Sequence, residues 1–196
     1  ISSQQALLLS AGHINTTRSL IEANGDLSLT TSQALLHSGN LTAQGRLQLN
    51  ALSLENQQGA VIQGADTQIT ITGNFTNRGT VDGGNTWINA LNLDNLGSGL
   101  ILGDHLALQA GGIRNLAERV NGVNKSAVLA ARQRMDIGVG TLLNQDAALI
   151  FSGGDLAIGG RLNTQWQAEG QAILLTNQAA TVDATDNLSI AAQDIH

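Results

Sequence analysis

The chain has 196 residues: 42% are apolar, 23 are Gly, two are Trp, two are Phe, and none is Pro, Cys or Tyr. Without cysteine there is no disulfide framework, cysteine-ligated zinc or iron–sulfur site, or thiol catalysis, and a net charge of −6 opposes a surface built for nucleic acid or anionic lipid. No apolar run approaches the roughly 20 residues of a membrane span, and a start at Ile1 without a basic-then-apolar leader leads us to expect a fragment from inside a longer protein.

An apolar-x-apolar pair recurs along the chain as Leu7/Leu9, Leu27/Leu29, Leu47/Leu49, Ile69/Ile71, Thr86/Ile88, Leu106/Leu108, Met135/Ile137, Leu156/Ile158 and Leu188/Ile190. The spacings are 20, 20, 22, 17, 20, 29, 21 and 32 residues, and 17 of the 18 slots are apolar. Four positions after each first member stand Ala11, Thr31, Ala51, Gly73, Ala90, Ala110, Val139, Gly160 and Ala192, nearly all small. Within a unit the alternation has period two, as in Arg46-Leu47-Gln48-Leu49-Asn50, the pattern of a half-buried strand. Gly25, Gly45, Gly84 and Gly154 fall two residues before the pair, where a corner needs positive φ or close backbone approach.

A second column holds Asn56, Asn77, Asn95, Asn115, Asn144 and Asn177, with Thr16 and Leu36 in its place in the first two units. Stacked side-chain amides pair with the levels above and below and tolerate a tight bend, so a structural asparagine ladder is expected. The bland alternative is that Asn simply favours turns.

Short strands repeating every 20 residues in one phase, with no helix between them, exclude βαβ units and fit poorly to a sandwich or barrel. The expected fold is an all-β, single-stranded parallel β-helix of about nine coils, with residues 1–196 forming one solenoid segment. At about 4.8 Å per coil the rod is about 45 Å long. The lack of Pro suits uninterrupted ladders, and the shortage of aromatics suits a narrow core of stacked aliphatics.

Two insertions depart from the repeat, near 116–127 and 161–174, and departures are where function is expected. In the first, Leu116-Ala117-Glu118-Arg119-Val120 is read as a single helical turn before Asn121-Gly122. Arg114, Arg119, Lys125, Arg132 and Arg134 lie in or beside it, either as a solvated run or as a partner contact. In the second, Trp166 is expected to plug the side of the rod, since Trp is normally well buried, with a ligand platform as the alternative. Trp87 has an outward phase and is a candidate contact residue.

No catalytic or metal site emerges, and no cofactor is implied. His13, His37, His105 and His196 lack metal-ligand spacing and read as surface or corner residues. Gly83-Gly84 and Gly153-Gly154-Asp155 lack a phosphate-loop lysine and do not continue into a calcium-binding nonapeptide. Asp26 and Asp155 share a column without forming an adjacent carboxylate pair for glycoside hydrolysis. Sequons at Asn15, Asn40, Asn74, Asn124 and Asn187 are read as incidental.

Segments such as Asn40-Leu41-Thr42-Ala43-Gln44-Gly45-Arg46-Leu47-Gln48-Leu49 and Leu93-Asp94-Asn95-Leu96-Gly97-Ser98-Gly99-Leu100-Ile101 resemble filamentous-haemagglutinin repeats, and the resemblance covers essentially the whole chain. It implies a right-handed parallel β-helix within a giant Gram-negative exoprotein, secreted by an outer-membrane two-partner transporter and displayed at the cell surface. Such proteins include adhesins and contact-dependent growth-inhibition effectors. The Pro-containing motifs of the family's secretion domain are missing, and no carboxy-terminal toxin is recognisable. The resemblance therefore implies a non-enzymatic virulence-factor stalk that extends an adhesin or toxin toward target cells, without inserting into membranes or binding nucleic acid. A receptor- or glycan-binding patch on the insertions is the alternative, and a β-helical polysaccharide lyase or hydrolase the more distant one.

Overall fold

Inward aliphatic and outward polar residues alternate in short runs, and each turn of the chain closes three such strands around a common core. In one turn these are Arg46–Ala51, Ser53–Asn56 and Val61–Gln63; in the next, Asp66–Ile71, Asn74–Asn77 and Thr80–Asp82. The computed structural model describes residues 1–196 and contains no helix. Every pairing between turns is parallel; the two antiparallel pairings are hairpins within the insertions. The architecture is a parallel β-solenoid, with nine levels on its first face.

Equivalent residues stack directly. The first face carries Leu9, Leu29, Leu49, Ile69, Ile88, Leu108, Ile137, Ile158 and Ile190 in one column. The second carries Leu35, Leu54, Phe75, Leu93, Ile113, Leu142, Leu175 and Ile195. The third carries Ile21, Leu41, Ile62, Val81, Ile101, Leu129, Ile150 and Val182. These columns converge on a single core cluster of 35 buried residues. Burying such side chains contributes about 1.5–3 kcal/mol each before the entropy of ordering the chain is set against it. At the two ends the columns lose their cover: Leu7 and Leu9 are half-buried, and Ile195 is 58% exposed.

Two registers differ from the sequence expectation. The fourth pair is Thr67/Ile69, not Ile69/Ile71: Thr67 pairs with Leu47 and Thr86, and Ile71 stands beside Ala51 in the small column in place of Gly73. Turns four and five are therefore regular. Thr67 occupies an apolar slot because its hydroxyl donates to the Asp82 carbonyl at 2.6 Å and accepts from the Gly64 amide at 3.0 Å. Such a satisfied polar group reads as a mismatch in a search for apolar pairs. Among the corner glycines, Gly84 has no positive φ; it is required by close approach, since a Cβ there falls 2.9 Å from the Ala65 carbonyl oxygen.

The second correction lies at the foot of the asparagine column. The residue beneath Asn56 is His37, not Leu36: His37 pairs with Asn56 and bridges to Thr16, while Leu36 is 43% exposed. His37 is thus a buried core histidine rather than a surface one. Its Nε2 lies 3.2 Å from the Val61 carbonyl oxygen, which only accepts, so Nε2 carries the proton of the neutral ring, and Nδ1 is an acceptor 3.1 Å from the Thr16 hydroxyl, whose one proton it shares with the Leu36 carbonyl at 3.2 Å. Burial lowers the pKa of His37 from 6.5, against the opposing pull of hydrogen bonds involving Val61, Thr16 and Gly39. The group therefore contributes stability that is complete above pH about 6.5 and is lost as pH falls toward its folded value, at about 1.4 kcal/mol per pH unit. Replacing His37 with Asn is expected to abolish this acid slope. It also supplies a donor for Asn56 Oδ1, a buried acceptor that has no partner. Urea denaturation at pH 7.5 and pH 5 checks both effects; a slope unchanged in the variant excludes His37 as its source.

Candidate functional site

The six asparagines form one continuous ladder at the corner between the second and third faces. Each side-chain amide donates to the Oδ1 of the next level: Asn56 to Asn77 at 2.8 Å, then to Asn95 at 2.9 Å, Asn115 at 2.9 Å, Asn144 at 2.8 Å and Asn177 at 2.8 Å. The remaining proton binds the carbonyl that opens the third face in the following turn, at Thr80, Leu100, Val128, Leu149 and Thr181. Asn56 through Asn144 are fully buried, so the ladder closes a tight corner and leaves these residues nothing to offer a ligand.

The first insertion is a β-hairpin, Glu118–Val120 against Val123–Lys125, and not a helical turn. Asn121 and Gly122 both have positive φ, 50° and 80°, the geometry of the two-residue turn that Asn-Gly favours. The hairpin folds back toward the amino-terminal turns, where Glu118 receives two bonds from Arg78, each 2.8 Å.

The second insertion is also a hairpin, Arg161–Leu162 against Ala168–Glu169, and it lies flat over the first face. Small residues in normally polar outward columns make the bed: Ala107 is 1% exposed, and a Cβ on Gly138 collides with the backbone of Arg161 and Leu162. The hairpin is tied down by Leu162 N to Gln109 Oε1 at 2.6 Å and Ala168 N to Asp136 Oδ1 at 2.9 Å. Asp136 is fully buried and also bonds His105 Nε2 at 2.9 Å and Arg134 Nε at 2.6 Å. Burial pushes its carboxyl up. Hydrogen bonds from His105, Arg134 and Ala168, with the charge of Arg134, outweigh this and hold it down at about 2.

At its tip the hairpin places Trp166 on Trp87, with ring centroids 5.6 Å apart and planes 11° from parallel. Trp166 does not plug the rod: it is 36% exposed and sits outside the sheet, because the hairpin turns back over the face instead of into it. Its φ is 60°, an uncommon conformation for a bulky residue, held by Asn163 Oδ1 accepting from the Gln165 and Gln167 amides at 2.9 and 3.0 Å. Beside the stacked indoles, a cleft of about 240 Å³ is lined by Arg46, Asp66, Gln68 and Asn85.

The basic residues do not form one patch. Arg114 is paired with Asp94 on the second face, Arg132 with Asp82 and Asp104 at another corner, and Arg134 with Asp136 under the hairpin. Arg119 and Lys125 remain without an acidic partner, both on the first hairpin. Sequence reasoning missed Asp136, His105 and Gln109. The available signal was the replacement of outward polar residues by Ala107, Gly138, Ala157 and Gly159 on neighbouring levels. No group of three or more His, Asp or Glu side chains converges as a metal site.

A haemagglutinin-repeat family model matches residues 1–35 and 23–79. No curated protein and no solved structure matches the chain at a significant level. The matched turns run into the later ones through unbroken ladders, with the same three aliphatic columns continuing beyond Asn77. The family match covers residues 1–79, and the parallel β-solenoid that continues from them through the rest of the chain is consistent with a filamentous haemagglutinin-like repeat region.

Proposed function

We propose that this region is a non-enzymatic stalk of a secreted surface filament, extending an adhesin or growth-inhibition toxin from a Gram-negative cell after two-partner export of the parent protein. The supporting observation is continuity: three aliphatic columns and an amide ladder run through successive turns with no interruption of the rod at either insertion. Such a structure transmits length and stiffness, and each turn templates the next. A lyase or hydrolase reading finds less support, since the acidic side chains near the insertions are mostly engaged by their own arginines.

A stalk tolerates a change in the number of turns, whereas a dedicated site does not. Residues 20–39 are one turn, because Leu20 and Asn40 occupy the same register position. Deleting or duplicating this turn in the parent exoprotein is expected to leave secretion and target-cell attachment within about twofold, as a sum of near-neighbour interfaces implies. Loss of attachment with secretion intact overturns the reading.

A further inference from the structure

We propose that the cleft beside the Trp87–Trp166 stack is a carbohydrate-binding site for a short, uncharged oligosaccharide. This goes beyond a stalk function, which requires no ligand at all.

Three observations converge on it. First, the chain's only two tryptophans are brought together on the outside of the rod, one by a strand and the other by an insertion. Trp166 is held there in a left-handed backbone conformation, a cost that simple capping of the face by a small residue avoids. Second, the floor offers unspent polar groups. Asp66 Oδ1 is bound by the Asn85 amide and Nδ2 at 3.0 and 2.9 Å, which orients the carboxylate and leaves Oδ2 without a protein partner. The Arg46 guanidinium likewise has no ion-pair partner, and its backbone amide alone is held, by Asp26. Gln68 lies between them and the indoles. Third, the backbone beneath is engaged in parallel ladders on both sides, so recognition can use only side chains.

These groups select a ligand class. One carboxylate, one guanidinium and two side-chain amides line the cleft with both donors and acceptors, the mixture that sugar hydroxyls require, while the indoles offer an apolar wall to the C–H face of a pyranose. A phosphate or sulfate ligand meets Asp66 and a chain of net charge −6. A peptide strand finds no free sheet edge here to extend.

With no tyrosine in the chain, tryptophan emission reports this cleft alone. The intact chain is titrated with chitotriose, cellotriose, maltotriose and laminaritriose up to about 10 mM, above the millimolar range of weak ligands, and followed by fluorescence and calorimetry. At least one sugar is expected to bind saturably. Asp66→Asn, which keeps the Oδ1 acceptor for the Asn85 amide, and Gln68→Ala are expected to weaken that binding about tenfold or more, with the thermal transition and far-UV spectrum kept. Absence of saturable binding by all four sugars in both assays overturns the proposal. So does binding that survives both substitutions, which places the sugar elsewhere on the rod.

Discussion

Asp136→Ala is expected to release the second hairpin and to lower stability by about 3 kcal/mol, the scale of breaking a buried ion pair from one side. The carboxylate is the common acceptor for three elements: His105 from one turn, Arg134 from the next, and the Ala168 amide from the hairpin. Removing it strands the Ala168 N–H against the sheet and leaves Arg134 with only Asp155, 3.6 Å away. The hairpin then retains the Gln109 contact and the indole stack, too little to offset the entropy of ordering it. Trypsin is expected to cut after Arg161 faster than in the parent chain, and tryptophan emission to shift red as Trp166 leaves Trp87. Asp136→Asn keeps an acceptor for Ala168 but loses the charge, so a smaller loss is expected. If proteolysis and emission stay unchanged in Asp136→Ala, the hairpin is held by the bed alone.

The same carboxylate fixes an acid limit distinct from that of His37. Its folded pKa of about 2 lies below the ordinary 3.8, so its contribution is fully present above pH about 4 and is lost as pH falls toward 2. His37 acts earlier, from pH about 6.5 downward, and at the amino-terminal turns. Hydrogen exchange across an acid series is therefore expected to loosen residues near Thr16 and His37 first and the hairpin last.

The columns were legible because stacking forces one size and polarity class on each level, and that constraint survives when single motifs are degenerate. It failed at Thr67, where a local hydrogen bond satisfies a polar group in an apolar slot, and at His37, where an imidazole replaces an amide in the same corner. The first hairpin was obscured by the helix-forming run Leu116-Ala117-Glu118-Arg119, although Asn121-Gly122 carried the competing turn signal. Asp136 was illegible in principle to local reading: its partners lie 31 residues before it, two before it and 32 after it. Trp166 misled because its type is usually buried, while its position depends on a hairpin whose bed is defined by glycines and alanines three levels deep.

Asn115→Ala tests whether the ladder is a structural spine or an incidental stack. Asn115 accepts from Asn95 at 2.9 Å and donates to Asn144 at 2.8 Å and to the Leu149 carbonyl at 3.0 Å. Asn95 and Asn144 are fully buried, so each loses a bond without replacement, at about 1–3 kcal/mol per group, and the part-buried Leu149 carbonyl loses its side-chain donor. Because neighbouring rungs relax together the costs do not add, and a loss of about 4 kcal/mol is expected, read from urea denaturation by far-UV circular dichroism. Asn177→Ala is expected to cost less, since that rung is only half-buried and ends the chain of amides. Asn115→Asp separates hydrogen bonding from shape. The carboxylate still accepts from Asn95 but faces the Asn144 carbonyl-type oxygen with no proton to give, so it destabilises at neutral pH. Protonation restores the donor, and stability of this variant relative to the parent is expected to rise on acidification, opposite in sign to the His37 effect. A ladder that merely reflects the turn preference of asparagine predicts instead a loss under about 1 kcal/mol for Asn115→Ala and no acid recovery in Asn115→Asp.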